Sequence, residues 1–333
     1  MPLTLLQIVQ AAQGELGLPQ SSSVINNTDA TTVQMYNLAN RVVDIVRRWK
    51  NTRWTALQTE YNIVVSPPIS VTGTVTLNSP IITNISPNTN GIIPWIYACS
   101  GNAIPQAARV LTVDSSSQVT LTMENTGPTA SNLAIIFAKD TYPMPTDFDY
   151  YNNRTMWDRT NRWELLGPDS PQIDQWHRSG IVATGPRRHF RQLGPVQAAN
   201  AAIPLAGFRL WPAPVEIVSP LQIDFEYLSN AAVKQIGPSG FQGIYTKTFT
   251  NDTDQSVLDD QAVIMGIKWM FWQVKGFNYA DMKNDWMDYV NALSARDGGA
   301  QTLQMVRRQD SVLLTSSNIQ DGFFPGPVAS GTN

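Results

Sequence analysis

A chain of 333 residues has room for two domains and a sizeable core, and its formal net charge of −3 does not suit a dedicated nucleic-acid binder, which carries a basic face. The single cysteine, Cys99, excludes an internal disulfide, and its place in the strand-like run Trp95 to Cys99 predicts a buried, inert thiol. The N-terminus lacks the basic, apolar, small-residue order of a secretory signal and no apolar run reaches membrane length, so folding in a reducing host cytoplasm without a membrane partner is expected.

The first helix is marked by Thr4-Leu5-Leu6-Gln7, which fits a capping box, and by apolar residues at Leu5, Ile8, Val9, Ala12 and Leu16 before the stop Gly17-Leu18-Pro19. A polar loop from Gln20 to Ala30 leads to a second box, Thr31-Thr32-Val33-Gln34. It opens a longer helix whose apolar face is Met35, Leu38, Ala39, Val42, Ile45, Val46 and Trp49. Arg41, Arg47, Arg48, Lys50 and Arg53 lie on or beyond its polar side, with Asp44 the only acid among them. Such runs ordinarily make a solvated helix face. Arg47, Arg48, Lys50 and Arg53 are nonetheless the densest basic run on a helix that otherwise packs, which makes them candidates for an acidic neighbour.

From Tyr61 to Ala108 no side chain is ionised, yet Thr, Ser, Asn, Pro and Gly abound. The stretch reads as β-structure with thin protection against edge pairing, which suits contact with other subunits. A strand from Glu60 to Val65 is followed by the boundary Ser66-Pro67-Pro68. Six further strands are predicted at Val71–Leu77, Ile81–Ile85, Trp95–Cys99, Arg109–Val113, Val119–Met123 and Leu133–Ala138, a spacing that indicates a small sandwich or barrel ending at Asp140.

Tyr142-Pro143-Met144-Pro145 begins an irregular aromatic region with Tyr150, Tyr151, Trp157, Trp163 and Trp176, side chains suited to anchoring long loops. A second basic cluster, Arg187, Arg188 and Arg191 with His189, supplies further candidates for a basic interface and precedes strands at Phe208–Trp211 and Leu221–Leu228. The strongest helix is predicted from about Ser256 to Arg296, with Asp252, Asp254, Asp259 and Asp260 near its positive end and Gly276 as a bend or break. A last helical piece runs to about Gln309. The tail from Asp310 is too poor in apolar residues to fold alone, and Val312, Leu313, Leu314, Phe323 and Phe324 are its anchors for a partner.

The fold class is therefore α+β: a helical bundle frame with a small β-sheet, residues 1–65 and 141–309, an inserted all-β sandwich-like domain at 66–140, and an extended arm at 310–333. Chemistry is hard to find in it. The chain has no G-x-S-x-G, P-loop or G-x-G-x-x-G. Only His177 and His189 supply imidazole, and with one cysteine there is no zinc-type spacing, so neither a metal nor a cofactor is expected. The two histidines fit a surface or interface role better than general-base work. Carboxylate pairs exist at Asp147/Asp149 and Asp259/Asp260. Turn chemistry and the helix dipole account for them more simply than glycoside cleavage, so no catalytic residue is assigned.

The order of elements resembles the head-to-tail adaptor proteins of tailed bacteriophages, in particular the tubular or ring adaptor below the portal of short-tailed phages. The resemblance is carried by the two opening helices and by Tyr142-Pro143-Met144-Pro145-Thr146-Asp147-Phe148, Trp163-Glu164-Leu165-Leu166-Gly167-Pro168 and Gly185-Pro186-Arg187-Arg188. It continues in Leu210-Trp211-Pro212-Ala213-Pro214, Phe225-Glu226-Tyr227-Leu228-Ser229-Asn230, Asp252-Thr253-Asp254 and Gly266-Ile267-Lys268-Trp269. It implies a structural virion protein at the head–tail interface: a dodecameric ring that docks on the portal, receives the tail nozzle or another tail protein, and lets double-stranded DNA pass without sequence recognition. Compact members of that family lack so large an insertion, and the 66–140 module itself looks like a β-module of phage virion proteins. Two other readings remain at the level of sequence, a peripheral decoration or fibre-attachment protein and a virion-associated cell-wall hydrolase.

Overall fold

The computed structural model describes residues 2–179, 187–194, 207–217, 219–237 and 239–297. The chain is α+β, with helices α1 (Leu5–Glu15), α2 (Ala30–Arg47), α3 (Pro171–His177), α4 (Asp260–Lys275) and α5 (Ala280–Arg296). Strands β1 (Gln58–Val65), β2 (Ile69–Val75), β3 (Ile81–Ser86), β4 (Tyr97–Gly101), β5 (Val110–Ser115), β6 (Gln118–Leu121) and β7 (Ala130–Lys139) fill the first half. They are followed by β8 (Thr141–Pro143), β9 (Phe148–Tyr151), β10 (Trp157–Asp158), β11 (Trp163–Glu164) and β12 (His189–Leu193), then β13 (Gly207–Trp211), β14 (Leu221–Ser229), β15 (Val233–Gly237), β16 (Gly240–Thr246) and β17 (Gln255–Ser256). Two compact units emerge. The first takes the chain up to Thr59, Asp147–Tyr151, and the described residues from Tyr227 on; the second takes Glu60–Thr146 and the described residues of Asn152–Glu226.

In the first unit α1, α2, α4 and α5 share one core. Thr4 caps α1 through the reciprocal bonds with Gln7 that its sequence calls for, and Leu5, Ile8, Val9 and Ala12 are buried. The start of α2 differs from expectation: Asp29, not Thr31, is the N-cap, accepting from the Thr32 amide at 2.9 Å. Those bonds from Thr32, backbone first, hold the Asp29 carboxyl below its ordinary range. The long helix predicted from Ser256 to Arg296 is two helices. Asp259 caps α4 by accepting from the Ala262 amide, and Gly276, at φ 79°, supplies the left-handed residue that ends it. Trp286 of α5 packs edge-on against Trp49 and donates to the Ala262 carbonyl at 2.8 Å, so a buried indole leaves no unpaired N–H. A small sheet ordered β16, β15, β17 completes this unit, with β9 pairing to Tyr227–Ser229 at the end of β14.

The second unit is mostly strand. β2 to β7 form one antiparallel sheet in the order β4-β7-β2-β3-β6-β5, and its outer strands meet at the bridge Ala98↔Arg109, with Cys99 N–H donating to the Ala108 carbonyl. The module is thus a single curled sheet, of the barrel kind, and not two facing sheets. Val71, Val75, Ile82, Val119, Leu121, Ile135 and Phe137 fill its interior at period-two spacing. Cys99 is buried there, and burial pushes its thiol well above the ordinary range. The remaining strands form two small sheets, β1-β14-β10-β11 and β12-β13-β8. The region from Thr141 to Ser256, expected to belong with a helical frame, is built mainly of strands, α3 being its only helix among the described residues. None of the described helices is long and apolar enough to cross a membrane.

Candidate functional site

In the first unit the C-terminal end of α2 opens onto a cleft of about 570 Å³ lined by Arg47, Arg48, Asn51, Thr52, Arg53, Asp149, Tyr150 and Leu228. Its backbone is unusual: Lys50 and Asn51 stand at φ 45° and 58°, a left-handed pair that turns the chain sharply after the helix. Asn tolerates that region; for Lys it is an uncommon conformation that the surroundings must hold. Here Lys50 donates to Asn291 Oδ1 at 2.8 Å and lies over the Trp49 ring, which supplies that support.

The four basic candidates of this run part company. Arg47 is 2% exposed and bonded to Asp149 and, at 2.9 Å, to Asp44, so it braces β9 against α2 and is not a docking residue. Arg48, Lys50 and Arg53 are exposed. Arg48 reaches Asp44 at 3.4 Å across a helical turn, a surface pair worth little. Arg53 lies over the exposed Tyr150 ring, 5.2 Å from its centroid, with its guanidinium edge left to other acceptors. The cleft lining holds three cations, Arg47, Arg48 and Arg53, and one carboxylate, Asp149, which Arg47 takes, so the excess is positive. The arrangement suits an acidic segment, with Tyr150 as an aromatic floor. Asp149 and Tyr150 were not singled out for this role in the sequence, because only the pairing of β9 with β14 brings them to α2's unit.

The second basic cluster, in the other unit, is largely internal. Arg188 is buried and bonded to Glu216, while Arg191 reaches Asp174 at 2.9 Å and Arg209 also binds Asp174. Burial lowers the Arg209 guanidinium to about 10, with the neighbouring Arg178 adding to the effect. Arg187 is half-buried. The same unit holds a second buried pair, Arg109 with Asp140 at 2.7 Å, joined by Thr141 Oγ1. Burial raises the Asp140 carboxyl in spite of Arg109.

The histidines are not at an open surface. His177, at the end of α3, is buried, and His189, on β12, is half-buried; their rings lie 4.3 Å apart, both against Asp169. Of the carboxylate pairs, Asp147 accepts from Tyr227 Oη at 2.8 Å and Ser229 Oγ at 2.6 Å, and Asp149 is taken by Arg47. Asp259 caps α4, and Asp260 accepts from the Leu3 amide at 2.7 Å. The tail anchors Val312, Leu313, Leu314, Phe323 and Phe324, and the arm 310–333 as a whole, lie outside the described residues.

No family model matches the chain, and none of the curated proteins matches it.

Proposed function

We propose that this protein is a non-catalytic structural component of a short-tailed phage virion, a ring adaptor that joins the portal to the tail and continues the DNA channel. The observation that carries the reading is the ordered set of sequence words from Tyr142-Pro143-Met144-Pro145 to Gly266-Ile267-Lys268-Trp269, spread over the chain outside the 66–140 module. The four-helix core of the first unit would serve as the helical frame of such an adaptor. Its partners are further copies of itself in a dodecamer, the portal, a tail nozzle or other tail protein, and passing duplex DNA. The arm at 310–333 is assigned to the portal.

The basic cleft at the end of α2 is assigned to an acidic segment of the portal or of an adjacent subunit. DNA in a channel must slide, and a strongly basic lumen would retain it through phosphate contacts. Changing Arg48, Lys50 and Arg53 together to Gln, while keeping the buried Arg47, should weaken ring formation or portal docking and make the remainder less salt-sensitive. Sedimentation with portal at several salt concentrations measures this. Intact assembly with altered genome ejection would move the cluster to the channel wall.

A further inference from the structure

Asp169, His177 and His189 sit far apart in chain logic: a loop, the last turn of a helix and a strand. The fold brings their ligand atoms to within 4.8 Å of one another. The loop is held by backbone bonds to β12. Leu166 accepts from the Phe190 amide at 2.9 Å, and the Asp169 amide donates to the Phe190 carbonyl at 2.8 Å. Gly167, between them, has φ 145°, and a Cβ there would stand 2.5 Å from the Phe190 carbonyl oxygen, so only glycine permits this approach. Ser170 then caps α3, which carries His177 to the site one helix length later. The three groups are thus positioned by main-chain structure before any ion arrives.

We propose that Asp169, His177 and His189 form a binding site for one divalent d-block cation of the zinc type. Asp169 Oδ2 is 3.2 Å from His177 Nδ1 and 3.3 Å from His189 Nδ1. Donors about 2.0–2.2 Å from a tetrahedral ion stand about 3.3–3.5 Å from one another. The two imidazole donors lie within 4.8 Å of each other, while the two carboxylate–imidazole separations are close to polyhedron edges. As hydrogen bonds they are at or beyond the long end of the N–H···O range, and both rings would have to present an Nδ1 proton to one carboxylate. Two imidazoles and a carboxylate are a donor set for zinc, iron(II) or their neighbours and not for magnesium or calcium. Their side chains are between 8% and 19% exposed, which limits competition from bulk water. The adjacent cations are already committed: Arg191 and Arg209 bind Asp174, and Arg188 binds Glu216. Three protein donors leave at least one position for water. An ion held here would pin the 166–170 loop, the end of α3 and β12 together.

The test uses the tag-free full-length chain, stripped with chelator and titrated calorimetrically with Zn²⁺, followed by X-ray absorption on the zinc-loaded protein. Because the chain contains only two histidines, a two-imidazole zinc signature identifies the site without any variant. The expected result is one ion per chain, bound by two imidazoles with oxygen donors, and at least about tenfold weaker binding in Asp169→Asn, His177→Ala and His189→Ala. The absence of stoichiometric binding overturns the proposal. So does a bound ion with fewer than two imidazoles, or affinity unchanged in variants whose circular dichroism matches the stripped wild type.

Discussion

Gly266 of α4 packs directly against Val42 of α2. A Cβ at this position would lie 2.4 Å from Val42 Cγ1 and 3.1 Å from Trp286 Nε1. Val42 is β-branched and stiff in a helix, so it cannot rotate away, and the helices themselves must separate. Gly266→Ala should therefore destabilise the protein by about 1–3 kcal/mol in denaturant unfolding, despite Ala's better helix propensity. Combining it with Val42→Ala should cost less than the two single changes summed, the sign of a shared steric cause. Additive costs would place the strain elsewhere. At this scale the sequence was partly legible. The capping box at Thr4 and the burial of Cys99 could be read directly, because each depends on near neighbours or on the strand's own apolarity. The roles of Arg47 and Asp169 could not. Asp149 lies 102 residues from Arg47, and Asp169 meets His189 only because a parallel bridge joins Leu166 to His189.

Among elements, strong periodicity carried the reading and turn chemistry limited it. All six strands of the β-module occur close to their expected places, since alternation and proline boundaries marked them. That they curl into one sheet depends on the Ala98↔Arg109 bridge between outer strands, a contact that alternation does not encode. The α2 cap moved to Asp29 because either Asp or Thr can accept at that turn, and the choice follows the loop before it. The core shared by α1, α2, α4 and α5 contains no residue from 66–140. Replacing those residues by a short Gly-Ser linker should accordingly leave the helical circular-dichroism signal and a cooperative transition for the first unit, since loop length changes closure entropy slowly. The rest of the second unit should weaken, as Arg178 loses the Ala107 carbonyl and Thr141 loses Arg109. Collapse of the helical signal would show that the helices need the module.

For the whole molecule, ring formation is the property on which the adaptor reading depends. Members of a ring meet through unlike faces that close by rotation, and the charge-free stretch from Tyr61 to Ala108 is suited to such packing. The order of short sequence words suggested this assembly; the folded chain by itself has no symmetry from which copy number follows. Single-particle imaging of the purified full-length protein, alone and mixed with its cognate portal, addresses the matter directly. The account predicts closed dodecameric rings stacked coaxially on the portal with an open central channel. A protein that stays monomeric and leaves the portal bare, or that decorates only the capsid or fibres, would contradict it.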